Sequence, residues 1–224
     1  MNEQFEIFTD EEEAFQPEAE TERETEIEEP APKQAETPKK TVDLTRSQLA
    51  LNNTMRLLWV QHVEWTRMFL ISLANNLGDL SFVTKRLLRN PSDFANALMP
   101  YYGKEKSEKF GQLLTQHLLI AAQLAQAAKA GDSKAVMELR KKWYANADEI
   151  AAYLASINPF WSKAEWQKLL YDHLAMTENE AVYLLQKKYQ ASIDEYDKIE
   201  QEAMKMADYM TYGIMKQFPN AFTF

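Results

Sequence analysis

The chain has 224 residues, five glycines, no cysteine and a formal net charge of −9, and that charge is unevenly placed: residues 1–44 carry 15 acidic and 4 basic side chains, the remainder 19 and 21. A body so near neutrality lacks the clustered basic surface that displaces counterions from nucleic acid. Without thiols there are no disulfides and no thiolate metal sites, which fits a reducing compartment, and no stretch approaches the roughly 18 apolar residues of a membrane span.

Residues 1–44 are rich in Glu, contain Pro and hold few large apolar side chains. Such a segment buries too little apolar surface to offset its ordering entropy, so a disordered acidic tail is expected. It has neither the basic start nor the apolar core of a signal peptide, and the expected location is cytoplasmic. The tail is expected to serve as a tether or as a docking segment for a protein partner. Residues 45–224 are long enough for one domain, and their scarce glycine with abundant Ala, Leu, Gln, Glu and Lys favours helices.

The first helix is expected from about Ser47 to Leu77, with Leu51, Met55, Leu58, His62, Trp65 and Phe69 on its apolar stripe. After Gly78-Asp79, a segment from Leu80 to Arg89 leads to Asn90-Pro91-Ser92-Asp93. There Asn90 reads as an N-cap and Pro91 as the first helical residue. Pro100-Tyr101-Tyr102-Gly103 is expected to break the short helix that follows. The next helix, about Glu105 to Ala130, carries Phe110, Leu113, His117 and Leu124 on one face and ends at Gly131-Asp132. A helix from Ser133 to Ile157 stops at Asn158-Pro159, and a shorter one, Lys163 to Ala175, carries Trp166, Leu169 and His173. Thr177-Glu178-Asn179-Glu180 reads as a capping box opening a final helix to about Gln217, with Tyr189, Ile193, Tyr196, Glu200 and Ala203 as its stripe.

These elements recur. The three histidines lie 55 and 56 residues apart, each with Leu four positions before it: Leu58, Leu113 and Leu169. Gly78-Asp79 matches Gly131-Asp132, Asn90 matches Asn146, and Pro100-Tyr101-Tyr102 matches Pro159-Phe160-Trp161. A divergent third copy places Ala207-Asp208 and Pro219 60 residues beyond Ala147-Asp148 and Pro159. The expected fold is therefore all-α, a helical bundle built from a repeated two-helix unit of about 56 residues, with units at about 45–103, 104–162 and 163–220.

The segments Leu58-Trp59-Val60-Gln61-His62-Val63-Glu64-Trp65-Thr66-Arg67, Ala127-Ala128-Lys129-Ala130-Gly131-Asp132 and Asn146-Ala147-Asp148-Glu149-Ile150-Ala151, with Asn158-Pro159-Phe160-Trp161 and Gln217-Phe218-Pro219, carry a resemblance. Over roughly Leu51 to Phe222 the chain resembles a group of uncharacterised helical proteins of spore-forming bacteria. Members of that group are sometimes labelled acetylglutamate kinase. The residues here oppose the label, because phosphoryl transfer needs Gly-rich turns and this chain has neither paired glycines nor P-loop spacing.

The residues best suited to chemistry are His62, His117 and His173. Imidazole is the commonest metal ligand at neutral pH, and three of them with a carboxylate from Glu200, Asp208 or Asp148 would suit a Zn, Fe or Mn ion. The alternative is three neutral histidines, each donating one N–H across the bundle. Arg67, beside Trp65, could bind an anion or pair with an acid such as Asp93 or Asp208. Asn146 stands inside a continuous helix, where Asn is a poor choice, so it is expected to bond a buried partner or a ligand. No nucleophile stands in a catalytic context, and no catalytic residue is expected. The functional expectation is a non-catalytic, partner-binding or structural bundle, and the alternative is a metal-binding or metal-dependent one.

Overall fold

A computed structural model describes residues 44–222; the expected acidic tail lies outside the described residues except for Leu44. Six helices follow in order: α1 (Arg46–Asn75), α2 (Leu80–Leu87), α3 (Asn90–Ala130), α4 (Ser133–Ile157), α5 (Lys163–Leu185) and α6 (Tyr189–Gln217), with a 3-10 turn at Pro219–Phe222. Among the described residues there is no strand, so the all-α expectation holds. No helix there is long and apolar enough to cross a membrane.

Local chemistry sets most of the helix ends. Thr45 caps α1 in a box with Gln48, whose side chain accepts from the Thr45 amide at 2.9 Å. α3 is interrupted at Gly103, whose φ of 75° is open only to a residue without Cβ, three positions after Pro100 has removed an amide donor. Gly131 takes the left-handed conformation after Ala130, and the Asp132 side chain accepts from the Ala135 amide to start α4. Ser162 caps α5 in the same way.

Two expected boundaries are corrected. Asn90 is the first residue of α3 and caps nothing, because its side chain is turned inward to other partners. Thr177 does not open a helix: α5 runs through it to Leu185, and its hydroxyl donates to the His173 carbonyl one turn back. The break comes instead at Gln186–Lys188, where Lys187 adopts φ 59°.

α1 packs on α6, α3 on α4, α4 on α5 and α5 on α6, while α1 also meets α3 and α5, so the helices bearing the histidines touch one another through the core. That core holds Met55, Trp59, Phe94, Phe110, Trp166 and Met206, with a smaller apolar cluster of Phe69, Leu70, Leu87 and Leu118 toward the α2 end. The buried face of α6 is Ser192, Glu195, Ile199, Glu202, Ala203 and Met206, and the expected stripe is corrected accordingly: Tyr189, Ile193 and Glu200 are exposed.

Candidate functional site

The three histidines come from three helices. His62 sits in α1, His117 in α3 and His173 in α5, and each is 2–3% exposed. The His62 ring lies with its centroid 6.3 Å from that of His117 and 5.8 Å from that of His173. Indoles wall the group, with Trp59 5.6 Å from His62 and Trp143 5.2 Å from His117.

Each ring faces a polar side chain. His62 Nδ1 is 3.0 Å from Asn90 Oδ1, and the Asn90 amide donates to the Leu58 carbonyl at 3.0 Å. The arrangement recurs at His117, where Nδ1 is 3.0 Å from Asn146 Oδ1 and the Asn146 amide donates to the Leu113 carbonyl at 3.2 Å. Because each carboxamide spends an N–H on a backbone carbonyl, its oxygen is the atom turned to the ring. The ring must then donate, so both histidines carry the proton on Nδ1 and keep the Nε2 lone pair. At His173 the partner is a carboxylate: Glu202 Oε2 is 3.4 Å from Nδ1, and Glu202 is 5% exposed. Among the described residues, neither oxygen of Glu202 nor His173 Nδ1 has a hydrogen-bond partner, which leaves this corner of the layer under-satisfied.

Burial decides the electrostatics. Desolvation pushes His62 and His117 down to about 3; charge on His173 adds to the depression at His62, charge on His62 and then on His173 adds to it at His117, and the carboxamide hydrogen bonds oppose it. Beneath the layer, Glu180 is 1% exposed and ion-paired with Arg67, which also donates to the carbonyl of Ser192 at 3.2 Å and its hydroxyl at 3.1 Å. The Arg67 guanidinium lies 4.7 Å from the centroid of the Tyr196 ring. Desolvation pushes Glu180 up to about 7 even with the guanidinium beside it.

The other named residues lie elsewhere. Asp208 accepts from Arg56 at 2.7 and 2.6 Å and from Asn52, Asp148 accepts from Gln167 and Tyr171, and Glu200 is exposed. None of these three carboxylates is the acid that faces a histidine; Glu202 is. Arg67 pairs with Glu180 and not with the acids named for it, since Asp93 pairs with Arg89 and Asp208 with Arg56. Asn146 does bond a buried partner. Among the described residues, no group of three or more His, Asp and Glu side chains is arranged to hold a metal ion.

Glu202 had a signal in the sequence. Asn90, Asn146 and Glu202 are spaced 56 residues apart, in step with the histidines, while the 60-residue offset chosen for the third copy pointed to Asp208. What fold and site define is a class: an all-α bundle whose core contains a layer of imidazoles, each faced by a carboxamide or a carboxylate. Beyond that class, comparison with protein-family models, with curated proteins and with solved structures finds no match.

Proposed function

We propose that the chain is a non-catalytic helical scaffold, built from repeats of a two-helix unit, that works by holding a partner in the cytoplasm. In this reading the histidine layer specifies how the helices meet and performs no reaction. The observation that carries it is the closed hydrogen bonding at His62 and His117: each ring is tied to a carboxamide that is itself tied to Leu58 or Leu113. A buried polar pair anchored to the backbone rejects wrong helix registers, because any slip strands its donors in the core. The acidic residues 1–44 are the partner-holding segment, a concentration of negative charge for a basic surface. Removing them should abolish capture of the partner from lysate and leave the melting temperature of the bundle unchanged. Capture that is indifferent to the truncation overturns the partner reading.

A second reading rests on the tautomer. Histidines that ligate through Nε2 commonly donate Nδ1–H to an oxygen, and His62 and His117 have that arrangement, with His173 and Glu202 adjacent. A Zn, Fe or Mn ion would draw on these residues once the rings turned toward one point. Elemental analysis of the natively purified chain beside a His117→Ala variant separates the readings. One equivalent of metal in the first and none in the second supports ligation; no metal in either, with unchanged stability on chelation, supports the scaffold.

A further inference from the structure

One helical turn past each histidine the core opens. Thr66 follows His62, Ala121 follows His117 and Thr177 follows His173, and all three line a cavity of about 180 Å³ bounded by α1 through α5. The space is made by α3, which places Ala121, Ala122, Ala125 and Ala128 where larger side chains would close it. Protein interiors are packed to crystal density and rarely keep voids much larger than a water molecule. A lone alanine in a core is ordinary, but four on one face around one space form a built pocket between helices, the usual place for a small-molecule site in a bundle.

The chemistry of the walls selects the occupant. They are almost wholly apolar, with Phe69, Leu70 and Leu118 among them. The hydroxyl of Thr66 donates to the His62 carbonyl at 2.7 Å and that of Thr177 to the His173 carbonyl at 2.9 Å, so both donors are spent. The charged side chains at the pocket are Arg140 and Glu178, which neutralise each other at 2.9 Å and, being partly exposed, stand at its mouth. The indole N–H of Trp143, also in the wall, has no partner among the described residues; a single neutral donor does not offset the desolvation of an ionised group. A dry apolar cavity of about 150 Å³ is known to hold benzene, so this volume suits a molecule from benzene to a short hydrocarbon chain.

We infer that the pocket between α1, α3 and α5 binds one small uncharged apolar molecule, a role independent of the scaffold and metal readings. The test is calorimetric titration of the full chain with benzene and, separately, with hexanoate, repeated on Ala122→Leu and Ala128→Leu, which fill the pocket from different positions. Saturable one-to-one binding of benzene, no binding of hexanoate, and at least a tenfold loss in whichever filled variants fold are the expected results. Absent benzene saturation, undiminished binding in both variants, or tighter binding of hexanoate than of benzene overturns the inference. Because the titration uses neither the acidic segment nor a metal, its failure is distinguishable from failure of either functional reading.

Discussion

At the residue scale, the two asparagines make His62 and His117 bonded groups and not orphans. Asn146→Ala removes the acceptor of His117 and the donor to Leu113 at once, in a site 4% exposed. A loss of about 2–4 kcal/mol follows from two stranded buried groups, measurable by urea denaturation. Gly213 is a second point of sensitivity. A Cβ there would lie 1.9 Å from Trp161 Nε1, and that indole is buried, edge-on to Trp166 and bonded to the Tyr209 carbonyl. The ring has little room to give, so Gly213→Ala should destabilise by roughly 3 kcal/mol through overpacking, again read from the denaturation midpoint. Arg67 and Glu180 behave differently because Glu180 can neutralise itself. Arg67→Met should cost about 3 kcal/mol near pH 8, where a buried carboxylate loses its partner, and distinctly less at pH 5.5, below the value near 7 to which burial has moved Glu180.

At the scale of elements, the junction of α5 and α6 is locally strained. Lys187 holds φ 59° while exposed to solvent, a conformation that costs an ordinary residue about 1 kcal/mol relative to glycine. Lys187→Gly should therefore raise stability by no more than about 0.5 kcal/mol, once the larger unfolded-state entropy of glycine is deducted; a fall in the melting temperature would count against it. The same junction shows what a sequence makes legible. The limits of α4 could be read directly, because Gly131-Asp132 and Asn158-Pro159 punctuate both ends. The α5–α6 break carries no glycine or proline, and Thr177 with Glu180 imitated a helix start while serving as a back-bonded threonine and a buried acid. On α6 the inward face was misread by one residue, because hydropathy patterning does not assign Glu195 and Glu202 to a buried face. The three imidazoles could be placed on the interior from their apolar stripes, but the pairing of Arg67 with Glu180, 113 residues away, depends on tertiary packing that no local pattern encodes.

At the scale of the whole molecule, the buried groups set the response to pH. His62 and His117 have folded values near 3 against 6.5 when unfolded, so in that window the unfolded chain binds two more protons and stability falls as pH falls. Glu180 acts in the opposite sense. Its folded value near 7 lies above the ordinary 4.5, so its contribution is fully present below 4.5 and is lost as pH rises through 7. Between pH 4.5 and 6.5 the balance is one proton, a decline of roughly 1.4 kcal/mol per unit of falling pH, steepening to roughly twice that below 4.5. Denaturation midpoints at half-unit intervals from pH 7 to 4 should trace that bend, and a flat profile would contradict the burial of the two rings.

The most direct test of the bonded His62 and His117 pairs is nitrogen-15 NMR of the imidazoles across the same range. His62 and His117 should be neutral, with the proton on Nδ1, and should stay so below pH 4.5 for as long as the chain is folded. Either ring titrating near 6.5 in the native state, or carrying its proton on Nε2, would mean that the carboxamides of Asn90 and Asn146 do not hold them.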